Sequence, residues 1–356
     1  MKLKKLFAGV VAAAMMLTMA VPAFATGSAI TSDDGITSYT LNKSYQLIGE
    51  GQAPAADFNF TIANTSVTGS EKYKGVTTFP TPSITPSVHY GANEATPTGT
   101  GAGAKDIVVD FLKDGALIYD SVGQYVYTIA ETDPETGLAG VDYDQKKVSM
   151  KVTVVNDDRT DKGLKISTIS FTKNNDKISG KVDGNKNEEA AFINTYTANK
   201  LEVTKKVTGA AGDKNYPFSF VVTFTGPDGK TWDASKLTFA ENAKSATYDN
   251  DAWNFTLTHG ESISFANLPK GVTYSVVEKY LDAANQITIN DIKYTARYEN
   301  GTGTMDATAK TATVYNATEG FIDTGVILDN APYILMLAVV AGAAMTLVIK
   351  KRREEE

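Results

Sequence analysis

The sequence predicts an all-β protein of two tandem β-sandwich domains. The chain has 356 residues, which is enough for two domains of ordinary size. Its 17 Tyr and 15 Phe, together with plentiful Thr and Val, favour strands over helices. Short runs of alternating polar and apolar residues recur through the interior and are bounded by Gly, Asp, Asn and Pro. Many short strands separated by turn residues are typical of a sandwich.

The N-terminus predicts export from the cell. Lys2, Lys4 and Lys5 precede an apolar run over residues 6–20, and the sequence Val21-Pro22-Ala23-Phe24-Ala25 follows it. Basic residues, a short apolar core and a small-x-small ending are typical of a secretory signal peptide, here residues 1–25, with cleavage after Ala25. The alternative, an N-terminal membrane anchor, is disfavoured because the apolar run is short for a bilayer span.

The interior divides into strands and two polar stretches. Residues 64–104 are rich in Thr, Pro, Gly and Ser and predict a long surface excursion with room for a strand or two. Residues 157–187 are polar and rich in turn residues. The clearest strands are predicted at residues 58–62, 125–130, 148–155, 218–224, 274–277 and 312–315.

A loose internal repeat sets the domain boundaries. Each copy has a Lys, then an aromatic strand, then a Glu and finally an Asn. The first copy contains Lys43, Glu131 and Asn194, and the second contains Lys205, Glu278 and Asn316. We therefore predict a first domain over residues 26–197 and a second over residues 198–318.

The six repeated polar residues are in phase with apolar neighbours. Alternate residues of a strand share a face, so each of these polar side chains is expected on an inward face. The predicted faces are Tyr39/Leu41/Lys43/Tyr45, Tyr125/Tyr127/Ile129/Glu131, Ala190/Phe192/Asn194/Tyr196, Leu201/Val203/Lys205/Val207, Tyr274/Val276/Glu278/Tyr280 and Ala312/Val314/Asn316.

Three interpretations of these buried groups remain open. A Lys–Glu salt bridge explains two of the residues but not the recurring Asn. Side chains at strand ends could instead place their polar groups in water. This would explain any single position, but it does not explain why Lys, Glu and Asn recur in the same order in both repeats. The third is chemical: a buried Lys shifts towards the neutral, nucleophilic amine, and a buried Glu shifts towards the proton-donating acid. The Lys would attack the Asn carbonyl, release ammonia and leave an isopeptide bond.

Composition excludes several other functions. Residues 26–324 carry 27 basic and 37 acidic residues, a balance of −10 that argues against nucleic-acid binding. The chain has no cysteine, which excludes disulfides, thiol nucleophiles and Cys-ligated zinc. Its two histidines, His89 and His259, are far apart, so we expect no multi-His metal site and no cofactor. Acidic turns such as residues 249–251 are expected to face solvent rather than to bind calcium.

The C-terminus resembles a Gram-positive cell-wall sorting signal, residues 319–356. Residues 331–349 are an uncharged run long enough to cross a bilayer, and the basic residues 350–353 follow. Before the run lies Phe321-Ile322-Asp323-Thr324-Gly325, where the family has Leu-Pro-x-Thr-Gly. The resemblance implies that a sortase cysteine would attack the carbonyl carbon of Thr324 and release Gly325. The missing proline favours a dedicated sortase, and a plain single-span anchor is the alternative.

The chain resembles streptococcal-type backbone pilins that carry a pilin isopeptide-linkage domain. The residues that carry the resemblance are the stretches 201–209, 260–262 and 268–274, with Glu278 and residues 314–316. It implies two immunoglobulin-like domains end to end, each with one Lys–Asn bond and an assisting Glu: Lys43/Glu131/Asn194 and Lys205/Glu278/Asn316. It also implies an acceptor lysine shortly before Asn194, for which Lys186 is the candidate and Lys181 the runner-up.

The predicted function is a secreted, sortase-assembled pilus shaft subunit of a Gram-positive cell wall, not a turnover enzyme. The implied partners are sortase, identical subunits in a head-to-tail polymer, minor pilins or a tip adhesin, peptidoglycan and, before sorting, the membrane. A wall-anchored adhesin that does not polymerise is the competing function. A wall-bound hydrolase would need a clustered acid/base pair, whereas Glu131 and Glu278 lie in separate repeats.

Overall fold

The fold is all-β in the part of the chain that the computed structural model describes. The described residues are 30–31, 35–98, 103–134, 136–157, 163–173, 176–178, 191–239 and 246–318. Within these ranges the only helix is a single 3-10 turn, Ala234–Lys236, and no helix is long and apolar enough to cross a membrane. The predicted signal peptide, residues 1–25, and the predicted sorting segment, residues 319–356, lie outside the described residues.

The strands follow one another through both halves of the chain. In the first half they are β1 (Ile30–Thr31), β2 (Ser38–Gly49), β3 (Ala56–Thr68), β4 (Ser83–Ile84), β5 (Ser87–Tyr90), β6 (Thr96–Pro97), β7 (Lys105–Asp110), β8 (Leu112–Lys113), β9 (Ala116–Leu117), β10 (Gly123–Thr132), β11 (Gly137–Leu138), β12 (Val141–Asp142), β13 (Val148–Asn156), β14 (Leu164–Lys173) and β15 (Asp176–Ile178). In the second half they are β16 (Phe192–Thr208), β17 (Phe218–Thr225), β18 (Lys230–Thr231), β19 (Thr238–Phe239), β20 (Thr247–Asp249), β21 (Ala252–Leu257), β22 (Ser262–Pro269), β23 (Thr273–Glu278), β24 (Gln286–Ile289), β25 (Ile292–Glu299), β26 (Thr302–Thr304) and β27 (Lys310–Thr318).

The chain divides into two compact units. The main break falls between Tyr196 and Thr197, so β16 contributes residues 192–196 to the first unit and the rest to the second. Two short segments, residues 48–52 and 136–141, group with the second unit although they lie in the first half of the sequence.

The first unit has two sheets with an aromatic core between them. One sheet has the order β1-β14-β13-β10-β3-β5, and the other places β2 between β7 and the start of β16. The ring centroids of Tyr39 on β2 and Phe171 on β14 are 4.4 Å apart. Those of Phe60 on β3 and Phe192 on β16 are 5.2 Å apart. The two sheets therefore bury their facing aromatic side chains against each other.

Two polar stretches of the first unit contribute more to the core than the sequence suggested. In the predicted surface excursion, residues 64–104, Phe79 and Tyr90 are buried, and the Tyr90 hydroxyl donates to the Lys43 carbonyl at 2.6 Å. The polar stretch after residue 157 contains β14, with Ile166, Ile169 and Phe171 buried. A register shift between β13 and β14 breaks the period-2 alternation of this strand, which explains why the pattern did not reveal it.

The second unit repeats the two-sheet arrangement. One sheet has the order β20-β21-β17-β23-β26, and the other has the order β24-β25-β27-β16-β22-β19. Phe224 on β17 contacts Phe265 on β22 with ring centroids 5.2 Å apart, so the core again lies between the sheets. Within the second sheet, β16 and β27 are parallel and adjacent. This pairing puts the first and last strands of the unit side by side.

Candidate isopeptide sites

The second unit brings Lys205, Glu278 and Asn316 together in its core. The Glu278 Oε2 atom lies 2.9 Å from Lys205 Nζ, and its Oε1 atom accepts a hydrogen bond from Asn316 Nδ2 at 2.7 Å. Lys205 and Asn316 come from adjacent strands of one sheet, whereas Glu278 ends β23 in the other. All three side chains are buried, so one carboxylate bridges the lysine and the asparagine away from water.

The first unit builds the same arrangement from Lys43, Glu131 and Asn194. Lys43 Nζ lies 3.0 Å from Glu131 Oε2, and both side chains are fully buried. Asn194 Nδ2 donates a hydrogen bond to Glu131 Oε1. Lys43 on β2 and Asn194 on β16 belong to neighbouring strands, and Glu131 projects from β10 of the opposite sheet.

Aromatic rings cover both lysine ammonium groups. Lys43 Nζ lies 4.2 Å from the centroid of the Phe58 ring. Lys205 Nζ lies 4.2 Å from the Phe218 ring and 5.4 Å from the Phe220 ring. The rings exclude water from the amine. Their electron-rich faces also stabilise the charged lysine before it is deprotonated.

Burial shifts both lysines towards the neutral amine. Loss of hydration lowers the pKa of Lys43 to about 8, against the opposing attraction of Glu131. The same cause lowers the pKa of Lys205 to about 8, with Glu278 opposing it. Burial also raises the pKa of Glu131, although the positive charge of Lys43 works in the other direction. These shifts favour the nucleophilic amine and the protonated acid that an amide exchange needs.

The first site has a further layer of polar contacts that the sequence did not reveal. The backbone N–H of Asp144 donates to Asn194 Oδ1 at 2.9 Å. The Asp144 carboxylate accepts from the Ile193 N–H at 2.9 Å and from Lys173 Nζ at 2.8 Å. Asp144 lies in the loop between β12 and β13, where no period-2 pattern points to a site. The contact depends on where this loop passes the start of β16, which no local pattern encodes.

One predicted face is wrong at its last residue. Tyr280 was expected to continue the inward face of Tyr274, Val276 and Glu278, but its side chain is 78% exposed. β23 ends at Glu278, and Tyr280 has a φ of +67°, in the left-handed region. The strand alternation therefore stops two residues earlier than predicted. Lys206, the residue after Lys205, is exposed, and its Nζ lies 5.5 Å from the centroid of the Tyr315 ring.

The remaining predicted site residues are not in the described part of the chain. Thr324, Gly325, Lys186 and Lys181 all lie outside it.

The two histidines make separate contacts. His89 Nδ1 lies 2.8 Å from Asp57 Oδ1, and His259 Nδ1 accepts a hydrogen bond from the Val207 N–H at 2.9 Å. Among the described residues, no group of three or more His, Asp or Glu side chains is arranged to hold a metal ion.

Comparison with known proteins finds similarity to streptococcal pilins. Residues 40–197 match the Spy0128-like isopeptide containing domain, and residues 199–318 match a domain of unknown function, DUF7601. A pilin of Streptococcus pyogenes serotype M1 is 26% identical over 92% of this chain and 97% of its own length. Residues 40–197 therefore carry a domain of the Spy0128-like isopeptide family, and the chain as a whole is similar to a streptococcal pilin. The match runs over nearly the whole length of both proteins, which supports the role of a pilus shaft subunit at the cell surface.

Two further proteins of Streptococcus pyogenes are similar to this chain. The crystal structure of the major pilin from Streptococcus pyogenes aligns with a TM-score of 0.49 at 21% identity, covering 79% of this chain and 98% of that one. The pilus tip adhesin Cpa of Streptococcus pyogenes is 34% identical over 79 residues, which is 22% of this chain and 11% of that protein.

Proposed function

We propose that this protein cross-links itself, forming a Lys43–Asn194 isopeptide bond in the first unit and a Lys205–Asn316 bond in the second. The observation that carries the proposal is the repeated geometry, in which one buried carboxylate contacts a buried lysine and a buried asparagine under an aromatic ring. A salt bridge alone would leave the Asn in both units without a reason to be there. A surface role is incompatible with the burial of all six side chains.

The chemistry is a single-turnover amide exchange. The glutamate takes a proton from the lysine ammonium, and the neutral amine attacks the Asn Cγ atom. The tetrahedral intermediate collapses when the same glutamate protonates the leaving nitrogen, which departs as ammonia. The glutamate then accepts the extra proton of the attacking nitrogen, which leaves a neutral amide and a protonated carboxyl group. One C–N bond forms and one breaks, and no other reactant is required. The protein is its own substrate and does not turn over, so we do not class it as an enzyme.

The bonds would carry tensile load. In each unit they join a strand near its start to its last strand, so a pulling force would pass from one to the other through a covalent bond and not through the sheet hydrogen bonds. By analogy with a disulfide, each would also destabilise the unfolded chain by roughly 4–5 kcal/mol. Such units are suited to a fibre under shear, and they need no cysteine.

Assembly would follow from the ends of the chain. We propose that the signal peptide directs secretion and that a dedicated sortase joins Thr324 to an acceptor lysine, Lys186 or Lys181, of the next subunit. The final subunit would be joined to peptidoglycan after transient membrane anchoring by residues 331–349. The short match to a tip adhesin supports association with other pilus subunits. We propose that each of the two sandwich-like units is an immunoglobulin-like domain.

The first experiment is the intact mass of recombinant residues 26–324 after denaturation. Two bonds predict a deficit of roughly 34 Da from two lost ammonia molecules, a covalent change that denaturant does not reverse. The deficit is expected to fall by half in Lys43→Ala and in Glu278→Ala. An unmodified mass would overturn the self-cross-linking proposal and leave two buried ionic clusters without a chemical role.

A further inference from the structure

The two sites differ at the oxygen atom of the reacting amide. In the first unit, Asn194 Oδ1 accepts a hydrogen bond from the Asp144 backbone N–H at 2.9 Å. In the second unit, Asn316 Oδ1 is buried and has no hydrogen-bond partner among the described residues. In both sites a Glu carboxylate accepts a hydrogen bond from the amide nitrogen of the Asn.

The oxygen is where charge develops during the proposed reaction. When the Lys43 amine adds to Asn194 Cγ, the carbonyl π electrons move to Oδ1, which becomes an oxyanion. A donor already within 2.7–3.1 Å of that oxygen stabilises the transition state without reorganising, and a dry site strengthens the effect. The Asp144 N–H is within this range.

The loop that carries this N–H is held in place by its own side chain. Asp144 Oδ2 accepts from the Ile193 N–H, the residue directly before Asn194, and from Lys173 Nζ on β14. Asp144 Oδ1 accepts from the Lys146 N–H at 3.0 Å. Lys173 also donates to the Ala191 carbonyl, so these contacts join the loop to residues 191 and 193, directly before Asn194. The Asp144 carboxylate is 7% exposed and its lysine partner 12%, so water competes little for these contacts.

We propose that the Asp144 backbone N–H is the oxyanion donor for Lys43–Asn194 bond formation, and that the Asp144 carboxylate and Lys173 position it. The inference rests on the proposed self-cross-linking. The first site would then have an oxyanion donor in addition to its Glu and its burial, whereas the second site relies on its Glu and its burial alone.

An amide-to-ester exchange at position 144 tests the donor directly. Cell-free translation of the full chain with the α-hydroxy acid analogue of aspartate at this position replaces the N–H with oxygen and keeps the side chain. The chain is labelled in a short translation pulse, quenched in denaturant at intervals after the pulse and digested, and the Lys43/Asn194 and Lys205/Asn316 cross-linked peptides are quantified separately. Loss of an oxyanion donor typically slows a reaction about 10²–10³-fold. We therefore expect at least a tenfold slower first bond and an unchanged second bond in the same molecules.

The matched control is the same exchange at position 145, the next residue of the same loop. The Gln145 N–H takes part in none of the contacts described above for Asn194 or Asp144. We expect the Lys43–Asn194 bond to form at close to its normal rate in this variant. Equal rates for the unmodified chain and the 144 ester would overturn the proposal, and so would equal slowing by the two esters.

A side-chain variant covers the case in which the 144 ester does not fold. Lys173→Met leaves the N–H present but removes one of the contacts that hold it, so the rate of the first bond should fall relative to that of the second. An unchanged ratio would overturn the positioning role. Absence of the Lys43/Asn194 peptide from the unmodified chain would instead refute the self-cross-linking on which the inference rests, so the two failures are distinguishable.

Discussion

Lys205 and Asn316 lie on parallel neighbouring strands, two residues out of step: Lys205 pairs with Val314, and Asn316 pairs with Val207. An offset of two keeps both side chains on the same face of the sheet, since the side-chain period of a strand is two. That face is the buried one, and Glu278 reaches both groups from the opposite sheet. Strand register therefore sets the reacting groups side by side before any chemistry occurs.

Replacing Lys205 should remove one bond, whereas replacing its neighbour should not. In Lys205→Met the mass deficit is expected to fall by roughly 17 Da. The second unit, no longer closed over the 111 residues from 205 to 316, should lose about 4–5 kcal/mol of stability, or on the order of 10–20 °C in its unfolding midpoint. Lys206→Met is the matched control, because Lys206 is exposed on the outer face. Mass spectrometry and calorimetry measure both effects, and an intact deficit in Lys205→Met would assign the cross-link to another lysine.

Bond formation in the first unit should have a bell-shaped pH dependence. The reactive state, a neutral Lys43 amine beside a protonated Glu131, holds the same number of protons as the ion pair, so the rate should be flat between the two titrations. Burial lowers the pKa of Lys43 to about 8, so above this pH the pair loses a proton and Glu131 can no longer protonate the leaving group. Burial raises the pKa of Glu131, so the acid limb should begin at a higher pH than for an exposed glutamate.

The time course of the Lys43/Asn194 peptide, after a short translation pulse and transfer to different pH values, measures this profile. A rate that keeps rising towards the ordinary lysine pKa of about 10.4 would contradict the proton sharing between Lys43 and Glu131.

The aromatic ring over Lys205 should affect the rate of Lys205–Asn316 bond formation beyond any effect on the stability of the unit. Phe218→Leu opens the ring contact 4.2 Å from Lys205 Nζ, so water should reach the amine, raise the pKa of Lys205 and slow bond formation. Phe265→Leu is the control, because this buried core residue packs against Phe224 and not against the lysine. Both changes should destabilise the unit by about 1–2 kcal/mol. Only Phe218→Leu should slow the appearance of the Lys205/Asn316 peptide, and equal slowing by the two would argue against a specific shielding role.

The acceptor lysine is tested by polymerisation. Lys186→Ala is expected to abolish the ladder of covalent multimers when the chain is expressed with its cognate sortase, because Lys186 is the predicted nucleophile on the next subunit. Lys181→Ala, which changes a lysine in the same stretch, should leave the ladder intact. The reverse result would exchange the two roles, and ladders in both single variants and in the double variant would place the acceptor elsewhere. Sequencing of the branched peptide identifies the lysine, and also shows whether Thr324 is the donor.

Strand alternation predicted much of the fold but failed where alternation stops. The all-β fold and the buried faces around Lys43 and Lys205 were readable because inward residues repeat every second position. β14 was missed because a register shift changes its phase, and the inward face ending in Glu278 was extended too far because the chain turns at Tyr280. Tyr90 was assigned to a surface excursion because the residues around it are polar. Its burial could not be predicted from them, since it depends on a contact with Lys43, which is distant in sequence.

The sequence by itself determined which side chains face the two cores: a lysine, a glutamate and an asparagine in phase with apolar neighbours in each repeat, a property of single strands that needs no knowledge of their partners. Only the tertiary structure decided what meets these groups. The bridging of Lys205 and Asn316 by Glu278, the ring of Phe58 over Lys43 and the Asp144 N–H on Asn194 all join segments far apart in the chain. Such contacts depend on strand register and on the path of loops past strand ends, and these are settled by packing the whole core rather than by any local pattern.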